Sequence, residues 1–404
     1  MISFEPTEDQ KMMQESVAQF ARTLLRPRHR EFEKGREIPE DVRRQAHELG
    51  LGLVAVPQAF GGAGLGLTTA VLLEEEVAWG DAAAAFGFGG PGAFGVAVAE
   101  LGTDAQAEAL LTPFAEAGAH GRFGAAAWGE ARPVKEREGL ACTATRVEGG
   151  WQLDGEKAYV VNAGRADIFV VFAQIAPEDG WRGLGAFVVR RGAPGLAVSA
   201  RKTTLGLDAA SFGGLSLKGA LVSEADRLTG RGDFEAALVR VFAKQALLIA
   251  ARGVGLARAA FETTRDYCDT RRAFGKPIGH FQAVAFTLAD RAIDLEGARA
   301  LVWRAAWAWD AGIPEREALL HTAQAISFTH EAAMRCGDDA VQLHGGAGFM
   351  RDYPVEKFMR DAKQLQVCGM TAEHADQLAA AIELGSTIEP GRVLPTAESQ
   401  SAFL

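Results

Sequence analysis

The periodicity of this sequence changes twice along the chain, and that change constrains the fold more than any single motif. Residues 121–232 carry short alternating or β-branched runs separated by Gly, Asp and Pro, a pattern typical of β-strands joined by turns. Residues 1–120 and 233–387 instead carry apolar residues at helical spacing. We predict an α+β chain with an N-terminal α-helical domain, a middle antiparallel β domain and a C-terminal α-helical domain at these limits. The tail 388–404 is expected to be flexible.

The helical parts contain signals that place individual helices. Thr7 followed by Gln10 is a capping-box pattern, which predicts the start of a helix. In the C-terminal part, a long helix beginning near residue 233 is followed by three more apolar-periodic segments. Their predicted ranges are about 280–311, about 315–337 and about Thr371 to Leu384. Four such helices predict a four-helix bundle.

Composition excludes several classes of function. The net charge of −10 argues against nucleic acid as a general partner. The longest apolar runs, such as Ala246 to Ala251, are too short to span a membrane, and the first residues lack a secretory pattern. Four cysteines without CxxC pairing favour reduced thiols in a cytoplasmic protein. No metal site is predicted, because no second His follows His330–Glu331 at metal-binding spacing.

The stretch Val341–Glu373 is the most informative motif. Gly345 and Gly346 allow the backbone to approach a ligand closely, and Pro354 suits the first turn of a helix. The stretch resembles the C-terminal signature of the acyl-CoA dehydrogenase family, and the likeness covers nearly the whole chain. The resemblance implies an oxidoreductase that uses FAD to introduce a double bond next to an acyl thioester. It also implies a small antiparallel β-barrel between an N-terminal helical domain and a C-terminal four-helix bundle.

The resemblance assigns ten residues to cofactor binding. Arg271 matches the arginine that pairs with the FAD pyrophosphate, a task that suits a guanidinium. Phe274 and Gln282 match flavin-contacting positions in the same segment, and Gln342 with Gly345 and Gly346 matches a Gln-x-x-Gly-Gly over the adenosine. The remaining matches are Tyr159 and Val161 at the flavin face, and Thr371 and Glu373 in a Thr-x-Glu/Gln pattern.

The groups that should carry out the reaction are missing from their usual positions. The family's catalytic glutamate, in Tyr-Glu-Gly-Thr, corresponds here to Gly369, and the alternative position on the long helix corresponds to Gln245. The family's arginine at the channel for coenzyme A corresponds to Ala246. Val161 replaces a threonine and cannot donate the expected hydroxyl hydrogen bond. Glu373 is the one candidate for a relocated base within the motif, but the family commonly has Glu or Gln at that position for the cofactor. No catalytic residue is therefore predicted.

The segment before the β domain also differs from the family pattern. The family's Thr-Glu-Pro-x-x-Gly-Ser-Asp aligns with Ala131–Glu138 through Pro133, which leaves no hydroxyl or glycine at those positions. Glu130, Glu136 and Glu138 are other carboxylates near this segment. We expect them to form a solvated, charged loop.

Three hypotheses follow. In the family, FAD lies at a subunit interface, and the first hypothesis is that this chain completes the FAD site of a catalytic acyl-CoA dehydrogenase subunit in a mixed dimer or tetramer. Alternatively, the chain is a self-sufficient homo-oligomeric flavoenzyme with an altered thioester substrate or base-independent chemistry, with electron-transferring flavoprotein as the expected acceptor. The third hypothesis is a non-flavin binding protein on the same scaffold. Whether the chain is itself an enzyme stays open.

Overall fold

The computed structural model describes residues 5–130, 139–230, 232–386 and 388. The N-terminal part is helical, as predicted. Its helices are α1 (Glu8–Phe20), α2 (His29–Gly35), α3 (Glu40–Glu48), α4 (Gly66–Gly80), α5 (Ala84–Gly87), α6 (Gly92–Leu101) and α7 (Asp104–Ala115). The capping box predicted at Thr7 and Gln10 is confirmed, since each side chain accepts from the other residue's backbone N–H.

The middle part forms one mixed sheet. Its strands are β1 (Gly124–Ala127), β2 (Thr143–Val147), β3 (Gly150–Val161), β4 (Ile168–Gln174), β5 (Leu184–Arg190), β6 (Leu196–Val198), β7 (Phe212–Ser223) and β8 (Arg227–Leu228). The order is β6-β7-β3-β2-β4-β5-β8, and β1 pairs with β4. This confirms a middle β domain. Most neighbours are antiparallel, but β1 and β2 each pair with β4 in parallel. Long connections allow parallel pairing, whereas tight hairpins do not.

The C-terminal part contains five helices and a short hairpin. They are α8 (Phe234–Thr270), β9 (Arg272–Ala273), β10 (Lys276–Pro277), α9 (Gln282–Asp310), α10 (Glu315–Leu343), α11 (Val355–Leu365) and α12 (Ala372–Glu383). Helices α8, α9, α10 and α12 correspond to the predicted four helices. Helix α10 continues six residues beyond the predicted end at Gly337. A Cβ at Gly337 would lie 2.9 Å from the Cα of Met359, so glycine here admits α11 rather than ending α10.

Helices from both ends of the chain share one core. Val71 and Val77 of α4 lie in the same buried cluster as Val254 and Leu256 of α8. A Cβ at Gly255 would lie only 2.2 Å from a backbone oxygen of α4, which shows how closely the two helices pack. This packing fixes the N-terminal helices against the bundle. The exact domain limits remain a prediction.

A buried ion-pair cluster joins α11 to distant segments. The Nζ of Lys357 donates to Asp81 at 2.8 Å and to Asp361 at 2.6 Å, and all three side chains are almost completely buried. Burial alone would lower the pKa of Lys357, but the two carboxylates outweigh it and raise the pKa. Asp361 also accepts from the backbone N–H of Leu207 at 2.6 Å. The cluster therefore links α11 both to the N-terminal helices and to the segment before β7.

Candidate active site and cofactor surface

Gly369, at the family's base position, lies in the loop between α11 and α12. Its φ of +74° is in the left-handed region that favours glycine. A Cβ there would lie 3.1 Å from Cδ1 of Ile249 and 4.0 Å from Cα of Ala246, so the loop rests directly on α8. His330 supports the loop through a hydrogen bond to the backbone of Met370. Burial lowers the pKa of His330 to about 4, so its ring is neutral at pH 7.

Neighbouring motif residues make structural hydrogen bonds. Gln245 donates from Nε2 to the backbone oxygen of Ala93 at 3.2 Å, which ties α8 to α6. Thr371 is the N-cap of α12, and its hydroxyl oxygen accepts from the N–H of His374 at 3.3 Å. Glu373 is exposed in the first turn of the same helix. Neither position that carries a base in the family therefore has a carboxylate in this chain.

A charged pair that the sequence did not reveal lies beside this loop. Arg252 of α8 forms a two-pronged ion pair with Glu74 of α4, at 2.9 and 3.1 Å, and its guanidinium stacks on Phe86 at 4.1 Å. Burial raises the pKa of the Cys368 thiol to about 12, and the charge of Arg252 opposes that rise. The only sequence signal was an arginine inside the apolar face of a long helix.

The two residues predicted at the flavin face, Tyr159 and Val161, lie at the end of β3. Tyr159 sits in a bulge with a φ of +56°, and 62% of its surface is exposed. Val161 pairs with Phe212 and is half-buried. The next residue, Asn162, donates from Nδ2 to the backbone oxygen of Phe86 at 2.7 Å. The ring of Phe86 also stacks on Arg252, which lies beside the Gly369 loop. The flavin face and the Gly369 loop therefore belong to the same region.

The other six predicted cofactor residues lie together at the far end of the bundle. We call them the Arg271 surface: Arg271, Phe274, Gln282, Gln342, Gly345 and Gly346. Arg271 ends α8, Phe274 forms the tip of the β9–β10 hairpin, and Gln282 begins α9. The end of α10 is held beside α8, since the rings of Tyr267 and His344 stack at 4.1 Å.

The Arg271 surface suits an anionic dinucleotide. All six residues are exposed, Phe274 to 96%, and a Cβ at Gly345 or Gly346 would meet nothing within 4 Å. Within the described residues, the side chain of Arg271 makes no hydrogen bond or ion pair. Arg272 and Lys276, which sequence reasoning did not single out, add two exposed cations to the same hairpin. The sequence signal for these two cations was a basic residue on each side of the Phe274–Gly275 turn.

The flavin face and the Arg271 surface are far apart within one chain. Arg252 of α8 lies beside the flavin face, and Arg271 of the Arg271 surface follows α8. The two residues are 19 positions apart, which is roughly 29 Å along an α-helix. The residues at the Arg271 surface fit the phosphates and adenosine of FAD. The flavin face offers an exposed aromatic ring but no hydroxyl at Val161. The two predicted cofactor regions of one chain are therefore separate from each other.

Glu130 is not the solvated residue that we expected. Its carboxylate accepts from Lys157 at 2.8 Å and from two backbone N–H groups at 2.8 and 2.9 Å. Lys157 is itself fully buried, so Glu130 neutralises a buried cation. Glu136 and Glu138 lie outside the described residues, as does the rest of Ala131–Glu138.

Comparison with known proteins agrees with the fold. Three family models match: the N-terminal domain of acyl-CoA dehydrogenases over residues 7–118, the middle domain over 135–220 and the C-terminal domain over 234–382. The chain therefore belongs to the acyl-CoA dehydrogenase family, whose members bind FAD.

Individual relatives extend over almost the full length. The acyl-CoA dehydrogenase of Bacillus subtilis (strain 168) is 34% identical over 384 residues, covering 94% of this chain and 99% of the relative. Benzylmalonyl-CoA dehydrogenase of Aromatoleum aromaticum is 32% identical over 374 residues, covering 92% and 97%. The structure of butyryl-CoA dehydrogenase from Megasphaera elsdenii superposes with a TM-score of 0.87 at 28% identity, covering 95% of this chain and 100% of that one.

The part of the chain that the structure describes has neither a candidate membrane-spanning helix nor a candidate metal cluster. None of the helices there is long and apolar enough to cross a membrane. No group of three or more His, Cys, Asp or Glu residues within the same ranges is arranged to hold a metal ion.

Proposed function

We propose that this chain acts in FAD-dependent α,β-dehydrogenation of an acyl-CoA thioester as a non-catalytic subunit of a mixed oligomer. The observation that carries the proposal is that Gly369 and Gln245 stand at the family's two base positions, while an exposed Arg271 surface lies roughly 29 Å away along α8. The exposed Arg271 surface is intact, while the region around Gly369 has no carboxylate at either family position. The chain thus retains the groups that would reach a neighbour's cofactor.

In this role each retained group has a physical task. The guanidinium of Arg271 would pair with the pyrophosphate, and Gly345 and Gly346 would let the backbone approach the adenosine without steric conflict. Phe274 would cover the flavin from the hairpin tip. The bound flavin supplies the hydride acceptor for the reaction. The partner subunit would supply the base, because removal of a general base costs on the order of 10²–10⁴ in rate.

A second candidate is a self-sufficient flavoenzyme with an altered substrate. Arg252 and Glu74 favour it, because they introduce a charged pair beside the loop where the family's base would act. Within the described residues, Nη1 of Arg252 makes no hydrogen bond, so it could bind a polar group on an acyl chain. Such a substrate would differ from a simple fatty acyl thioester.

An FAD titration of the purified chain separates these candidates. We expect the chain purified alone to be colourless and to bind FAD weakly, since its own flavin face offers no hydroxyl at Val161. The measurement is the visible absorption spectrum before and after stepwise addition of FAD. Stoichiometric flavin in the isolated chain, bleached by a thioester in the absence of oxygen, would overturn the proposal and favour the altered enzyme. A chain that stays colourless with every acyl-CoA dehydrogenase partner tested would instead favour a non-flavin binding protein.

A further inference from the structure

Arginines from separate parts of the chain converge beside the turn that follows β3. Arg165 lies in that turn, and Arg201 lies between β6 and β7. Both donate from a guanidinium nitrogen to the same backbone oxygen, that of Arg36 at the end of α2. Two nitrogens that share one acceptor lie within about 6 Å of each other. Arg43 of α3 is close enough to act on the charge of Arg165. We call these residues the Arg165 cluster: Arg36, Arg43, Arg165 and Arg201.

The positive charges of the cluster exceed the negative charges around it. Within the described residues, the guanidinium groups of Arg165 and Arg201 donate to backbone oxygens and form no ion pair. A carbonyl accepts a hydrogen bond but does not cancel the charge, and arginine stays protonated in proteins. The carboxylates that act on the two arginines are those of Glu37 and Asp208, and Asp208 also lies 3.8 Å from Arg360 outside the cluster. Four cations therefore face two carboxylates, which leaves an excess of two positive charges.

This excess acts on the arginines themselves. Burial lowers the pKa of Arg165 and of Arg201, and positive neighbours within the cluster lower each of them further. The buried Nε atoms of Arg36 and Arg43 also make no hydrogen bond in the part of the chain that the structure describes. An anion bound between the guanidinium groups would offset the repulsion and accept hydrogen bonds from them.

A phosphate group matches the cluster better than a carboxylate does. The planar guanidinium group binds phosphate through two parallel hydrogen bonds. A phosphate group carries a charge of about −1.5 to −2 at pH 7, close to the excess of positive charge, whereas a carboxylate carries only one negative charge. The site is also open to solvent. Arg165 and Arg201 are half-buried, and their neighbours Gly164 and Lys202 are exposed.

We propose that the Arg165 cluster binds a phosphate group between Arg165 and Arg201, supplied by free phosphate or by a phosphorylated small molecule. The site lies on the flavin-face side of the chain, because the backbone N–H of Arg165 donates to the oxygen of Asn162 at 2.8 Å. It is therefore separate from the Arg271 surface and does not depend on FAD. A bound phosphate group would hold the turn in which Asn162 contacts Phe86.

Titration calorimetry of the full chain with inorganic phosphate, at an ionic strength kept constant with chloride, tests the site. We expect saturable binding of one phosphate per chain. Arg165→Gln and Arg201→Gln should each weaken binding at least about ten-fold, because each removes charge-assisted hydrogen bonds. Arg190→Gln is the matched control. Arg190 also lies in the β domain, but its guanidinium is already paired with Asp226 at 2.8 Å, so its loss should not change phosphate affinity.

Lysine variants keep the test valid if a glutamine variant fails to fold. Arg165→Lys and Arg201→Lys retain the positive charge but cannot bind phosphate through two parallel hydrogen bonds, so each should bind more weakly than wild type. Thermal unfolding without phosphate shows which variants are folded. Unchanged affinity in the folded variants of both arginines, or no saturable binding by wild type at constant ionic strength, would overturn the proposal.

Two further titrations locate the site and identify the source of the phosphate group. Arg271→Ala should leave phosphate affinity unchanged, and loss of binding in that variant would contradict the proposal by placing the phosphate at the Arg271 surface. Glycerol 3-phosphate is the probe for a phosphorylated small molecule. Tighter binding of this ester than of inorganic phosphate would support a phosphorylated molecule as the ligand, whereas tighter or equal binding of inorganic phosphate would support the free ion.

Discussion

Replacing Arg271 with alanine is expected to lower the FAD affinity of the native assembly about 10- to 100-fold, because losing charge-assisted hydrogen bonds costs about 1.5–3 kcal/mol. The fold should not change, since the structural contacts at this position are made by the backbone, with Tyr267 and Ile278 at 2.8 Å each. The measurement is an FAD titration of the assembly prepared with wild-type or Arg271→Ala chain, followed by flavin fluorescence.

The adjacent arginine provides the control. Arg272 is also exposed, but its guanidinium donates to the backbone oxygen of Gly275 at 3.0 Å within the hairpin. Arg272→Ala should change FAD affinity much less than Arg271→Ala. Equal effects of the two variants would indicate a general loss of positive charge, and no effect of Arg271→Ala would show that the Arg271 surface does not bind the phosphates of FAD.

Replacing Lys357 with methionine is expected to produce the largest loss of stability, about 3–5 kcal/mol in the free energy of unfolding. The substitution leaves Asp81 and Asp361 buried together without their cation. The cost of removing the two carboxylates from water is then no longer offset by an ion pair. Urea unfolding of the two proteins, followed by circular dichroism, measures the difference.

Lys363 of the same helix offers a matched control. It is exposed, and its Nζ donates to Gln366 at 3.0 Å. Lys363→Met should therefore change the free energy of unfolding by less than about 1 kcal/mol. A triple variant that also carries Asp81→Asn and Asp361→Asn should recover part of the loss, because no buried charge then remains. If Lys357→Met is no less stable than Lys363→Met, the buried cluster does not stabilise the fold as described.

The order of helices and strands could be predicted because the spacing of apolar residues is a local property. Helix α8 is continuous over 37 residues, as its wide apolar face suggested. The predicted end of α10 was wrong because Gly337 allows a close contact with α11 instead of ending the helix. A sequence does not show whether a glycine ends a helix or makes room for a neighbouring one. Strand direction in the β1–β4 pair was equally hidden, since alternation of residues is the same in either direction.

In the candidate site, too, local motifs could be recognised from the sequence, whereas contacts between distant segments could not. The family motifs predicted Arg271 as a cofactor residue, and they placed Gly369 at the family's base position because the flanking residues fix the register there without a gap. The Arg252–Glu74 pair was missed because its members are 178 residues apart, and only folding brings α4 beside α8. Glu130 was misjudged for the same reason, since its partner Lys157 lies 27 residues away on β3. A charged residue in a sequence is expected to be exposed to solvent, but an ion-pair partner that folding brings close allows it to be buried.

The most direct test of the central claim is the ratio of bound FAD to each polypeptide in the assembly purified through a tag on this chain from cells of its source organism. We expect FAD to accompany a second polypeptide of the acyl-CoA dehydrogenase family, and to be lost when the two chains are separated. The assembly should oxidise an acyl-CoA thioester only when that second polypeptide has its own catalytic carboxylate. One FAD per copy of this chain, with no second polypeptide present, would contradict the account.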